Sequence, residues 1–247
     1  MIPKIIHYCW LSDDPVPSDL QKYMRTWKEK LPDYEFMKWD FNRFDKQSSK
    51  WVAQAFDNKK YAFAADYIRL YALYNYGGIY LDMDVEVLKS YNPFLCLNTM
   101  LGWQNGNDGF EVAAFGVEQG TCWVAKALAY YKDRNFVRPD GSFDTTTLPK
   151  IIEAQFKYQN LSLMDVKSVE EALRAEENGF IPIFPSYVFS PKEFYDNKVN
   201  CTKETVSIHQ FAASWMPMSY RIKRRIEHLM GDKLITCYRL IKRYIKR

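Results

Sequence analysis

The chain has 247 residues, 47% of them hydrophobic and 17% aromatic, which is enough for one sizeable α/β domain with a buried core. No apolar stretch is long enough to span a bilayer, and the N-terminal run is too short and interrupted for a signal peptide. Five scattered cysteines without a CxxC pair indicate reduced thiols in a cytosolic protein rather than a disulfide framework or a zinc site.

The net charge of +4 is unevenly distributed along the chain. Residues 221–247 contain ten Lys/Arg and two acidic residues (net +8), whereas residues 1–220 contain 24 and 28 (net −4). A mildly acidic body with a strongly basic tail argues against a general nucleic-acid-binding surface and indicates a dedicated cationic segment.

The first elements in chain order predict a parallel sheet. Residues 4–8 are typical of a buried strand, and residues 34–39 alternate loosely as a second strand. Between them, Ser18 and Gln21 have the spacing of a capping box that begins a helix to about Lys30. A strand, a helix and a strand in about 35 residues are the beginning of a βαβ unit.

The later patterns extend this α/β arrangement. We predict one catalytic domain, residues 1–220, followed by a tail, residues 221–247. Helices are expected at about 50–55, 61–76, 121–131 and 148–156, and strands at 100–103, 112–115, 181–184 and 205–209.

The most informative segment is residues 77–84, which read Gly-Gly-Ile-Tyr-Leu-Asp-Met-Asp. A helix is expected to end at Gly77, and a short apolar strand then leads to Asp82 and Asp84. Residues two apart on an extended strand point to the same side, so we expect both carboxylates to project together. Such a pair repels unless a cation or a hydrogen-bonded ligand lies between them, and the first interpretation is a site for Mg²⁺ or Mn²⁺ shared with substrate phosphates.

The basic tail is expected to form amphipathic helices. Apolar residues recur at helical spacing while Lys and Arg occupy the other faces, a pattern typical of a helix in a membrane interface. A solvated helix and a contact with a partner protein remain open alternatives.

Four ordered motifs resemble the glycosyltransferases with a DXD sugar-binding region, which include bacterial capsular-polysaccharide synthases, fungal Golgi mannosyltransferases and, more distantly, clostridial toxin glucosyltransferase domains. The motifs are residues 2–10, residues 64–69, residues 77–84, and His209 with Ser214 and Trp215. An isolated DxD would be weak evidence, but four motifs in order are specific.

The resemblance implies a GT-A fold, a single Rossmann-like nucleotide-sugar-binding domain with a mostly parallel central sheet. It also implies Mn²⁺ (or Mg²⁺) as cofactor and retention of anomeric configuration. The implied roles are metal binding by Asp84, His209 and Asp82; catalysis and sugar, ribose and diphosphate binding by Asp66, Arg69 and Asp82; nucleobase or donor contacts by Trp10 and Asn42; and closure over the diphosphate by Ser214 and Trp215.

These observations predict a hexosyltransferase that uses a nucleotide-sugar donor, with UDP favoured over GDP. The expected acceptor is a saccharide or lipid-linked saccharide in capsular, exopolysaccharide or lipopolysaccharide synthesis. We expect the protein in the cytoplasm, peripheral on the inner face of the cell membrane, with its tail on the anionic surface and without a nucleic-acid partner. A nucleotide-sugar hydrolase and a non-catalytic sugar-nucleotide-binding protein are the alternatives.

Overall fold

The computed structural model describes residues 1–105, 109–193 and 198–212. Ser214, Trp215 and the tail at 221–247 lie outside these described residues. The described strands are β1 (Ile5–Cys9), β2 (Glu35–Trp39), β3 (Gly78–Leu81), β4 (Val85–Val87), β5 (Thr99–Trp103), β6 (Phe110–Val117), β7 (Leu163–Asp165), β8 (Ile181–Ile183) and β9 (Ser207–His209). The described α-helices are α1 (Ser18–Lys30), α2 (Lys50–Asp57), α3 (Tyr61–Tyr76), α4 (Cys122–Ala129), α5 (Leu148–Tyr158), α6 (Val169–Glu177) and α7 (Ser186–Phe189), with 3₁₀ turns at Lys46–Ser48 and Asn92–Phe94.

The central sheet has five strands in the order β2-β1-β3-β6-β5. Strand β1 pairs in parallel with β2 and with β3, whereas β6 is antiparallel to both β3 and β5. Four strands therefore run in one direction and β6 runs in the other. The predicted fold class, an α/β domain with a mostly parallel central sheet, is confirmed.

Two apolar clusters cover the two faces of this sheet. One includes residues of α2, α3, α4 and α5, with Trp39, Trp51 and Phe115 among its large buried side chains. The other includes residues of α1 and α6, with Trp27 and Phe189 buried in it. Both faces of the sheet are thus excluded from water, which leaves the strand ends as the part of the sheet open to a ligand.

The end of α3 approaches β1 so closely that only glycine fits. Gly77 and Gly78 have φ angles of +64° and +101°, and a Cβ on Gly78 would lie 2.7 Å from the backbone oxygen of Ile5. The buried His7 secures this corner: it accepts from the Trp39 indole N–H at 3.0 Å and donates through Nε2 to the Gly77 carbonyl at 2.7 Å. The chain can therefore leave α3 and enter the middle of the sheet within two residues.

The predicted capping box at the start of α1 is wrong. Ser18 is already the first helical residue, Pro17 occupies the N-cap position, and no side chain caps the helix. The Gln21 side-chain amide donates instead to the Val16 carbonyl. The backbone carbonyl of Pro17 accepts from the N–H groups of Leu20 and Gln21, at 2.9 and 3.0 Å, and so begins the helix without a side-chain cap.

Several short elements were not predicted: β4, β7, α6 and α7. Among the described residues no helix is both long and apolar enough to cross a membrane. Cys9, Cys96, Cys122 and Cys201 carry free thiols.

Candidate functional site

The candidate site lies where β1, β2 and β3 end. These parallel strands are in register at His7 and Tyr80 and at Cys9 and Trp39, so the segments that follow them leave the same edge of the sheet. Trp10, Asn42 and Asp82 lie in those segments. In open α/β sheets, ligands bind outside the carboxyl ends of the strands, and the predicted donor-binding residues therefore share the expected edge.

The two aspartates of the DxD motif lie in a turn rather than on the extended strand that the sequence predicted. Strand β3 ends at Leu81, and the Val85 N–H donates to the Asp82 carbonyl at 2.9 Å, which closes a turn before β4. The alternation argument for Asp82 and Asp84 is therefore wrong. The turn brings their carboxylates together instead, because it folds the chain back within four residues.

Strand pairing brings His209 to this turn. Strand β9 is antiparallel to β4, with His209 opposite Val85, and the Gln210 N–H donates to the Asp84 carbonyl at 3.0 Å. Potential ligand atoms of Asp82, Asp84 and His209 all lie within 4.8 Å of one another. His209 Nε2 is 3.7 Å from Asp84 Oδ1, and the other oxygen of Asp84 accepts from the Ala212 N–H at 2.7 Å.

A second group of charges lies beside this trio. Arg69 Nη2 is 3.1 Å from Asp82 Oδ1 and 3.3 Å from Asp66 Oδ1, and its Nη1 donates to the Val112 carbonyl. The Tyr80 hydroxyl donates to Asp82 at 3.0 Å, and the Tyr80 ring faces the guanidinium at 4.4 Å. Helix α3 thus presents Asp66 and Arg69 one turn apart to the end of β3.

Burial dominates the electrostatics of this group. It raises the pKa of Asp66 to about 6, although the neighbouring Arg69 acts in the opposite direction. Burial and the adjacent Asp84 also raise the pKa of Asp82, again against the effect of Arg69. Burial opposes the charge of Arg69, but the carboxylates of Asp82 and Asp66 hold its pKa above the ordinary value. The site thus has an excess of negative charge that is costly without a further cation.

Glu111 is a site residue that the sequence interpretation missed. It lies on β6 with only 1% of its surface exposed, and its carboxylate is 3.2 Å from His209 Nδ1. Despite burial, the charge of His209 lowers the pKa of Glu111, while Glu111 and Asp84 raise the pKa of His209 to about 9 against the effect of burial. The available signal was a single acidic residue in the otherwise apolar run FEVAAFGV.

The donor set fits a divalent cation. Asp82, Asp84 and His209 would supply two carboxylates and one imidazole from three partly buried residues. Carboxylates suit both Mg²⁺ and Mn²⁺, whereas an imidazole is a less usual ligand for the harder Mg²⁺. The described donors are thus better matched to Mn²⁺.

The remaining predicted residues lie in the segments after β1 and β2 or outside the described residues. The ring of Trp10 is partly exposed, and its indole N–H donates to the Asp14 carbonyl at 2.7 Å, which holds the loop after β1. Asn42 is exposed, and its backbone N–H donates to Asp40 at 3.0 Å. Ser214 and Trp215 are outside the described residues, so their predicted closing role stays a prediction.

The fold and site define a class: an α/β domain with a DxD turn at the carboxyl ends of its strands. Residues 17–101 match the family described as a glycosyltransferase sugar-binding region containing a DXD motif. This match confirms the resemblance predicted from the motifs, over the segment that carries two of them.

Among characterised relatives, the chain is 34% identical over 98 residues to inositol phosphoceramide mannosyltransferase 3 of Schizosaccharomyces pombe, covering 38% of this chain and 27% of that protein. It is 33% identical over 163 residues to mannosyl phosphorylinositol ceramide synthase CSH1 of Saccharomyces cerevisiae, covering 64% and 43%. The chain thus spans less than half the length of these relatives. The solved PaToxG glycosyltransferase superposes with a TM-score of 0.47 at 16% identity, over 64% of this chain and 70% of that one.

Proposed function

We propose that this protein is a divalent-cation-dependent, retaining glycosyltransferase that transfers a hexose from a nucleoside-diphosphate sugar to a saccharide acceptor. The observation that carries the proposal is the convergence of Asp82, Asp84 and His209 within 4.8 Å, beside Asp66 and Arg69. Retention rests on the family resemblance alone. Hydrolysis and binding without turnover are the alternatives to be excluded.

The proposed division of labour follows from charge. Asp84, His209 and Asp82 would hold a divalent cation, preferably Mn²⁺, which supplies Lewis-acid stabilisation of the departing diphosphate when bound. Arg69 places a permanent positive charge beside Asp82 and fixes its orientation. Asp66, held by the same guanidinium, is available to accept hydrogen bonds from sugar hydroxyls. Such preorganised charge is often the largest contribution to catalysis.

The donor is proposed to be a UDP-hexose, since the sequence analysis favours UDP over GDP. The relatives named above are called mannosyl-transferring proteins, so mannose belongs among the sugars to be tested. We further propose that the acceptor is a growing surface saccharide of the capsular, exopolysaccharide or lipopolysaccharide kind, free or linked to lipid.

A donor screen tests the function directly. The full chain is incubated with a set of UDP- and GDP-sugars, including GDP-mannose, with Mn²⁺, with Mg²⁺ or with a chelator, and nucleotide release is measured. We expect one donor to give release that stops with the chelator. Release that does not increase with any acceptor, with free sugar as product, would favour a hydrolase, and Mn²⁺-dependent nucleotide binding without release would favour a binding protein.

The location is proposed from the tail sequence. We propose that residues 221–247 hold the protein on the anionic inner face of the cell membrane, because each Lys or Arg near such a surface contributes about 1 kcal/mol. A chain ending at Tyr220 should keep donor hydrolysis but lose binding to anionic liposomes, while neither form should bind neutral liposomes. Equal binding of the shortened chain to anionic liposomes would contradict the proposal.

A further inference from the structure

Glu111 occupies a buried position where a charged side chain is energetically unfavourable. It lies on β6, in a run of eight residues whose other members are apolar. Its carboxylate is 1% exposed. An unpaired carboxylate in such surroundings is strongly destabilising, so its presence calls for a specific partner.

The described contacts identify that partner. Glu111 Oε1 accepts from the Ala113 N–H at 2.7 Å, and His209 Nδ1 lies 3.2 Å from Oε1 and 3.3 Å from Oε2. An ionised carboxylate can only accept hydrogen bonds. His209 Nδ1 must therefore be protonated in this contact, which leaves Nε2 as the nitrogen directed at Asp84.

We propose that Glu111 is a positioning residue that fixes the ring orientation and the Nδ1–H tautomer of His209, so that Nε2 is available to bind the divalent cation. The inference rests on the proposed function, because it assigns a role within the same cation site. A carboxylate that holds the far nitrogen of a metal-binding histidine also raises the basicity of the near one.

The substitution Glu111→Gln tests the tautomer argument with little change of shape. The Ala113 N–H requires an oxygen acceptor, so the amide oxygen takes the place of Oε1 and the NH₂ group takes the place of Oε2, 3.3 Å from His209 Nδ1. The substitution thus removes the negative charge and one of the two acceptors that face Nδ1, which shifts the ring proton towards Nε2, where it competes with the cation. Glu118→Gln is the matched control, since Glu118 is a partly exposed acid just beyond the same strand.

The measurement is the Kd for Mn²⁺ of the full chain by titration calorimetry, without donor or acceptor. We expect Glu111→Gln to weaken Mn²⁺ binding by roughly 10–100-fold, and Glu118→Gln to leave it unchanged. In a His209→Ala background, Glu111→Gln should cause no further loss, because the two side chains act as one unit. Glu111→Asp, which keeps an acceptor-only group, should retain more of the affinity than Glu111→Gln.

The possible failures are distinguishable. If the unaltered chain binds no Mn²⁺, both the proposed function and this inference fail. If it binds Mn²⁺ and a folded Glu111→Gln protein binds equally well, only the role of Glu111 is overturned. Equal losses in the presence and absence of His209 would also overturn it, since Glu111 would then act independently of the imidazole. Should Glu111→Gln not fold, Glu111→Asp and its His209→Ala double variant decide between the same outcomes.

Discussion

Asp82 and Asp144 lie in two regions whose charges differ in sign: carboxylates are in excess around Asp82, whereas cations and hydrogen-bond donors surround Asp144. Around Asp82 the described carboxylates of Asp66, Asp84 and Glu111 outnumber the cations Arg69 and His209. The carboxylate of Asp144 is surrounded by hydrogen-bond donors instead. It accepts from the Thr146 hydroxyl at 2.7 Å, the Thr146 N–H and the Tyr130 hydroxyl at 3.2 Å, and it lies 3.4 Å from Arg134 and Arg138.

Their pKa values shift in opposite directions for that reason. Burial raises the pKa of Asp82, and Asp84 adds to the effect. Burial also acts on Asp144, but the hydrogen bonds from Thr146 and Tyr130 and the charge of Arg138 outweigh it and lower the pKa. A carboxylate with surplus donors anchors a loop, whereas one with surplus neighbouring carboxylates belongs to a site prepared for a ligand.

The largest expected effect comes from removing one carboxylate of the cation trio. Asp84→Asn should lower metal-dependent nucleotide release by roughly a thousandfold, because the cation contributes several kcal/mol to the departing diphosphate. Its stability without metal should change little, since repulsion from Asp82 and attraction to His209 disappear together. The exposed Asp13→Asn is the control; normal turnover of Asp84→Asn would refute the assignment.

Removing the guanidinium group of Arg69, which lies between Asp66 and Asp82, tests how this site affects the stability of the fold. Arg69→Met should reduce the free energy of unfolding by about 3–5 kcal/mol, because it leaves Asp66 and Asp82 without their buried partner. Urea denaturation measures the loss, and Arg25→Met, at an exposed position, is the control. A loss below about 1 kcal/mol would mean that the ion pairs of Arg69 with Asp66 and Asp82 contribute no more to stability than exposed ion pairs do.

Substitution of Asp66 should increase the stability of the protein by an amount that depends on pH. Its pKa of about 6 is above the ordinary 3.8, so between these values the folded state holds more protons than the unfolded state and stability falls as pH rises. Asp66→Asn should therefore match the unaltered protein near pH 4 and exceed it by about 2–3 kcal/mol at pH 7.5. Urea denaturation at both values, without metal, measures this. An equal effect at both pH values would contradict burial as the cause.

Compared with substitution of Asp66, substitution of Asp144 should change the stability in the opposite direction and by less. Its pKa is lowered, so its contribution is present above the ordinary value of 3.8 and is lost as pH falls through the folded value. Asp144→Asn should reduce stability by about 1–2 kcal/mol at neutral pH and progressively less under acid conditions. Mn²⁺ affinity, measured in parallel, should stay unchanged; a weakened Mn²⁺ site would break the distinction between the two regions.

The sequence predicted the long elements well and the short ones unevenly, since the three-residue strands β8 and β9 were predicted but β4 and β7 were not. Helix α3 was predicted at 61–76 and lies there, because sixteen residues of apolar periodicity before two glycines leave little choice. Strands β4 and β7 have three residues each, too few for any periodic signal. The capping box at Ser18 failed because Pro17, immediately before it, enters the helix equally well.

The candidate site was predictable where chemistry and spacing coincide. Asp66 and Arg69 are one helical turn apart, and the acidic DxD motif follows an apolar strand, so both pairs are visible in the chain. The family resemblance alone linked His209 to them. Glu111 was marked only as a single acid in an apolar run, and its role became apparent from the imidazole of His209 that faces it.

By itself, the sequence determined the α/β class, the glycine corner before β3 and the acidic pair after it, since these depend on local conformation and on residue type. Only the tertiary structure decided that the DxD lies in a turn, that β9 pairs with β4 and that Glu111 meets His209. The pairing of β9 with β4 and the contact of Glu111 with His209 join residues about 100 or more positions apart, and such pairings are selected by the packing of the whole sheet rather than by any local pattern.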